Sequence, residues 1–124
     1  MSKTILVVDD SATMLLSVKT SLEVAGFKVD TATDGLKALA RLRSGPLPDL
    51  LLTDINMPNM NGLELIQQAR ALHGMRFKPI LVLTTESQQA RRDEAKRLGA
   101  TGWLVKPVPS NELIKVIKQV LPGA

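Results

Sequence analysis

Ile5-Leu6-Val7-Val8-Asp9-Asp10 sets an unbroken apolar run directly against two carboxylates, and the same arrangement returns along the chain. Leu50-Leu51-Leu52-Thr53 ends in Asp54, Ile80-Leu81-Val82-Leu83 ends in Thr84, and Trp103-Leu104-Val105 ends in Lys106-Pro107. Runs that are apolar at every position belong to strands covered on both faces. Helix-period segments separate them, so strand and helix alternate about five times, the pattern of an α/β protein with a parallel sheet. In an open parallel sheet, ligands bind beyond the carboxyl ends of the strands, where the strand order reverses. Each run delivers a carboxylate, hydroxyl or ammonium to that end. Lys28-Val29-Asp30-Thr31-Ala32 alternates instead, and reads as an edge strand with one wet face.

The helices have clear punctuation. After Ser11 come Leu15, Val18, Leu22 and Ala25 at three- and four-residue spacing, with Gly26 as the stop. Asp34 caps a second helix carrying Leu36, Leu39 and Leu42, which ends before Gly45-Pro46. Asn61 caps a third, with Leu63, Ile66 and Ala69 or Arg70 following. The fourth runs from about Ser87 to Leu98, ends at Gly99, and has the weakest apolar stripe. Ser110 caps the fifth, with Leu113, Val116 or Ile117, and Val120 facing inward. No linker, repeat or low-complexity segment interrupts the series.

At 124 residues and 44% hydrophobic, the chain matches one ordinary soluble domain. No apolar stretch reaches the roughly 18–20 residues of a bilayer span, and the N-terminus has no signal-peptide core, so membrane insertion is not expected. The chain has no cysteine, which excludes disulfides and thiolate metal sites and fits a cytoplasmic location. Phe27, Phe77 and Trp103 are too few aromatics for base stacking, which argues against direct nucleic-acid binding. The net charge of +4 is spread over helix faces, with one cluster at Arg91, Arg92, Lys96 and Arg97. Those cations read either as solvated helix surface or as a docking surface for an acidic protein partner.

With strand order 2-1-3-4-5, Asp9 and Asp10 at the end of the first strand neighbour Asp54 at the end of the third. Three converging carboxylates repel one another unless a cation sits among them. Oxygen ligands without His or Cys select Mg²⁺, Mn²⁺ or Ca²⁺ over zinc or copper, and Mg²⁺ fits best because it tolerates partial hydration and pairs with phosphates. The plainer alternative is that these acids cap the first helix, a role Asp10 or Ser11 can combine with the metal role. Lys106, costly to bury alone, has its ion-pair partner in the Asp cluster. Thr84 offers a hydroxyl donor, or caps the segment that follows it. A cation, an ammonium and a hydroxyl around one carboxylate make a phosphoryl-transfer site.

The chain thereby resembles the receiver domain of two-component response regulators, in particular the single-domain chemotaxis regulators of the CheY type. The resemblance rests on Val7-Val8-Asp9-Asp10-Ser11, Thr53-Asp54-Ile55-Asn56-Met57-Pro58, Met60-Asn61-Gly62, Leu83-Thr84-Thr85 and Val105-Lys106-Pro107, in the family's order across the whole chain. It implies a doubly wound, flavodoxin-like (βα)5 fold with a five-stranded parallel sheet. It implies that Asp54 accepts a phosphoryl group from a histidine kinase, and that Asp9, Asp10, Asp54 and the main-chain carbonyl of Asn56 hold Mg²⁺, with Mn²⁺ as a substitute. Thr84 and Lys106 would bind the phosphoryl oxygens, and the Lys106-Pro107 bond would be cis. Thr84 and Trp103 would form the switch, with Trp103 standing where the family usually has Tyr or Phe. Asn56 and Glu86, two residues beyond Asp54 and Thr84, would tune dephosphorylation, as similar pairs do in fast-resetting chemotaxis regulators.

The expectation is therefore a receiver over residues 1–124 without an output domain, a cytoplasmic monomer whose output is protein binding. Its expected target is the flagellar motor switch or another protein, reached through the face of the fourth helix, fifth strand and fifth helix. A phosphorelay shuttle or phosphate sink is the variant within this class. A Mg²⁺-dependent aspartyl-nucleophile phosphatase is disfavoured, because the general-acid position two residues past the nucleophile is Asn56. Nucleotide or flavin binding is disfavoured because Asp9-Asp10 stands where a glycine-rich phosphate loop belongs.

Overall fold

Five strands and five helices alternate along the chain, as determined from a computed structural model that describes residues 2–123. Met1 and Ala124, the ends of the expected domain span, lie outside the described residues. In chain order the elements are β1 (Thr4–Val8), α1 (Ala12–Val24), β2 (Lys28–Ala32), α2 (Gly35–Ser44) and β3 (Leu50–Thr53). They continue as α3 (Gly62–Arg70), β4 (Ile80–Thr84), α4 (Gln89–Leu98), β5 (Gly102–Val105) and α5 (Ser110–Val120). The strands pair in parallel in the order β2-β1-β3-β4-β5. Val8 lies opposite both Ala32 and Thr53, and Thr84 lies opposite Val105, so the strand ends line up on one edge of the sheet.

Burial on both faces explains the unbroken apolar runs of β1, β3 and β4, whereas Trp103-Leu104-Val105 forms an edge strand that is only partly covered and leaves Val105 exposed. On one face Leu6, Val8, Leu51, Ile80 and Val82 pack with Leu39 of α2, Ile66 of α3 and Ala95 of α4. On the other, Ile5, Val7, Leu50, Leu52, Leu81 and Leu83 pack with Leu15 and Leu22 of α1 and Leu113 and Ile117 of α5. β2 closes one edge and exposes Lys28, Asp30 and Thr31.

Ser11, Asp34 and Asn61 cap their helices by accepting from the amides of Met14, Lys37 and Glu64. Asn61 and Glu64 complete a reciprocal capping box. Three expectations need correction. Ser110 is not a cap: the carbonyl of Pro109 already accepts from Glu112 and Leu113, so the helix begins one residue earlier and the Ser110 hydroxyl sits 3.0 Å from that of Ser21. α4 begins at Gln89, not Ser87, with Gln88 at the cap position and no side-chain cap. Leu36 is 50% exposed, because α2 turns Gly35, Ala38, Leu39 and Leu42 inward and Leu36 falls about 110° from the centre of that arc.

Candidate active site at the strand ends

Asp9 follows β1, Asp54 follows β3 and Lys106 follows β5, and the aligned strand ends bring all three together. The Lys106 ammonium donates to Asp9 Oδ2 at 2.6 Å and to Asp54 Oδ2 at 3.0 Å. Desolvation lowers the lysine's affinity for its proton, but the hydrogen bonds to Asp9 and Asp54 more than offset it and raise its pKa above the usual 10.5. The lysine therefore stays cationic between the two acids.

The remaining carboxylate oxygens are also held. Asp9 Oδ1 accepts from the Ser11 amide at 2.9 Å, and Asp54 Oδ1 accepts from the Ile55 amide at 2.6 Å. Close packing fixes the Asp54 backbone from behind. A Cβ at Gly62 would come within 2.0 Å of the Asp54 carbonyl oxygen, so only glycine lets α3 start this close. Asp9 and Asp54 are buried while Asp10 is exposed, and one oxygen from each of the three lies within 4.8 Å of the others. Three carboxylates against one ammonium leave the cluster at −2. An all-oxygen, net-negative donor set of this kind fits a hard divalent cation. The space beside Asp9 and Asp54, lined also by Met14, Thr53 and Leu83, is only about 10 Å³. That is the room of one water molecule.

Thr84 is fully buried at the end of β4, and its hydroxyl accepts from the Glu86 amide at 3.2 Å. It makes a turn contact and caps no helix. The Trp103 indole N–H donates to the Glu86 carbonyl at 3.2 Å, so the backbone of Glu86 is held by both Thr84 and Trp103. The Glu86 carboxylate reaches Arg91 at 3.8 Å. Asn56 is exposed. Neither Asn56 nor Glu86 belongs to the carboxylate cluster. The Lys106-Pro107 peptide is cis, in agreement with the resemblance.

Two contacts, one beside the site and one at the opposite edge of the sheet, have only a faint sequence signal. Asp34, legible as a helix cap, also accepts from the Asn59 side chain at 2.8 Å. Arg70 at the end of α3 donates to the carbonyls of Met75, Arg76, Lys78 and Gly99, tying the α3–β4 loop to the end of α4. A single Arg at a helix end carries no mark of this in sequence.

The fold and the acid–lysine cluster together define a response regulator receiver. The model of the family "Response regulator receiver domain" matches residues 5–118, and the chain belongs to that family. Its relatives include chemotaxis protein CheY-3 of Vibrio cholerae serotype O1, which is 37% identical over 94% of this chain and 89% of its own length. A solved structure of CheY4 from Vibrio cholerae superposes with a TM-score of 0.92 at 40% identity, covering 98% of this chain and all of that one. The receiver domain of a Pseudomonas aeruginosa sensor histidine kinase, solved with magnesium coordinated in its active-site cleft, matches at a TM-score of 0.89 and 25% identity over 98% of both chains.

Proposed function

We propose that residues 1–124 act as a receiver in chemotaxis signalling, switched by a phosphoryl group on Asp54. The observation that carries this reading is the Lys106 ammonium held between Asp9 and Asp54. The donor is the phosphohistidine of a histidine kinase. An Asp54 carboxylate oxygen attacks phosphorus in line, the P–N bond breaks, and the departing imidazole keeps the electron pair. Lys106 then shifts its hold from Asp54 to a phosphoryl oxygen while keeping Asp9. Thr84 turns its hydroxyl from the Glu86 amide to a second phosphoryl oxygen. Asp9, Asp10, Asp54 and the Asn56 carbonyl are the residues that would hold Mg²⁺ or Mn²⁺. When bound, that ion supplies positive charge to the transferring oxygens.

On this reading the chain catalyses only its own phosphorylation and dephosphorylation. Its output is a changed binding face on α4, β5 and α5, read by a flagellar motor switch protein or a comparable target, with the chain working as a cytoplasmic monomer. The likeness to chemotaxis proteins over 94% of the chain supports the pathway. Incubation with acetyl phosphate and Mg²⁺, followed by peptide mass spectrometry, tests the acceptor. Asp54 should carry the phosphoryl group, and the Asp54→Asn protein should carry none. Transfer to the variant at the wild-type rate would overturn the assignment.

A further inference from the structure

The loop between β3 and α3, residues 54–61, carries the Asn56 carbonyl of the proposed metal site. Its base is pinned by the Gly62 amide donating to the Ile55 carbonyl at 2.8 Å. Its far side is tied to the start of α2 by two contacts. The Asn59 side-chain amide donates to Asp34 Oδ2 at 2.8 Å, and the Gly35 amide donates to the Met60 carbonyl at 3.1 Å. A Cβ at Gly35 would lie 2.5 Å from that carbonyl, so the loop and the helix start are packed to contact. Asn59 adopts φ 68°, a left-handed conformation that non-glycine residues rarely hold without support. Asp34 is 5% exposed, and its other oxygen caps the Lys37 amide at 2.8 Å.

We infer that Asp34 and Asn59 are positioning residues for the metal site: the Asp34–Asn59 hydrogen bond clamps the β3–α3 loop against α2 and so fixes where the Asn56 carbonyl points. The inference rests on the metal site proposed above. The cap to Lys37 and the bond from Asn59 both favour the ionised Asp34 and hold its pKa below the ordinary 3.8. The clamp is therefore a charge-assisted hydrogen bond at neutral pH. The hydrogen bonds of Asp34 and Asn59 reach none of Asp9, Asp10 and Asp54, so the clamp acts on the metal site through the loop backbone, while a changed charge at either position acts through space.

Calorimetric titration of Mg²⁺ into the full chain, beside thermal melts, tests this. Asn59→Gly removes the clamp yet relieves the positive φ, so the melting temperature should hold or rise while the Mg²⁺ dissociation constant increases about tenfold, the usual cost of losing an outer support of a metal site. Asn59→Asp sets two carboxylates face to face and should weaken Mg²⁺ binding, although its extra negative charge would strengthen it through space. Adding Asp34→Asn to Asn59→Asp reverses the donor and acceptor, keeps the cap and the net charge, and should restore the wild-type constant. Affinities within twofold of wild type in both single variants, or no recovery in the double variant, would overturn the clamp. If the wild-type chain binds no Mg²⁺, the metal site itself falls, and the clamp with it.

Discussion

Lys106 faces two buried acids, so the charges of the cluster respond sharply to single substitutions. Asp54→Asn takes the cluster from −2 to −1 and relieves repulsion between Asp54 and its acidic neighbours. The variant should be more stable in metal-free buffer, by about 1 kcal/mol or about 4 °C in melting temperature. Lys106→Met takes the cluster to −3 and should make stability depend more on Mg²⁺. A larger Mg²⁺-induced rise in melting temperature than in wild type is the expected result, and an equal rise would mean that the lysine does not offset those charges. Asp34 sets a pH dependence of a different kind. Its folded pKa is depressed by the Lys37 amide first and Asn59 second, so its contribution is present above the unfolded pKa and is lost as pH falls through the lower, folded one. Asp34→Asn should therefore flatten the loss of melting temperature below about pH 4. An acid limb identical to wild type would remove Asp34 from that account.

α4 is the helix with the fewest buried residues, with Ala95 its one buried residue and no side-chain cap at Gln88. Elements with few buried apolar contacts open locally at low free energy. The α4 amides should exchange hydrogen faster than those of α3, which has five buried residues and a full capping box. Equal protection of the two helices would contradict that ranking. Gln88→Asp should supply the missing cap and stabilise the chain by about 0.5–1 kcal/mol in a thermal melt. The weakness of α4 was legible in the sequence, since Gln89-Ala90-Arg91-Arg92-Asp93-Glu94 offers no apolar stripe. Its start was not, because Ser87 is as good a cap by type as Ser11, and only the path of the β4–α4 loop decides between Ser87 and Gln88. The same limit applies to Ser110, displaced as cap by the carbonyl of Pro109. Local chemistry places a cap where the side chain has a helix amide to hold, as at Ser11, Asp34 and Asn61, and misplaces it where the backbone path sets the helix start one residue away.

Across the whole molecule, the strand ends were readable because a polar residue after an apolar run can point only toward one edge of a parallel sheet. Asp9, Asp54, Thr84 and Lys106 could thus be gathered from sequence, whereas contacts made through side chains of distant loops, such as Asn59 to Asp34, could not. The link from this edge to the proposed output face is of the second kind. The Glu86 backbone gives its N–H to Thr84 and receives the Trp103 indole N–H on its carbonyl. Trp103 lies at a cleft of about 340 Å³ between α4 and β5, lined also by Gln89, Arg92, Lys96 and Ala100. If Thr84 turns toward a phosphoryl oxygen, the Glu86 amide loses its acceptor, the β4–α4 loop shifts, and the indole must move with its carbonyl or release it. α4 resists that shift least of all the helices, and the cleft gives the ring room to repack. Beryllofluoride added with Mg²⁺ should therefore change the intensity or wavelength of emission from Trp103, the chain's only tryptophan. The change should vanish in Asp54→Asn. It should shrink in Thr84→Val, which keeps the side-chain shape without the hydroxyl. An unchanged spectrum at saturating mimic, with binding established separately by fluorine NMR, would mean that the signal leaves the site without passing through Thr84, Glu86 and Trp103.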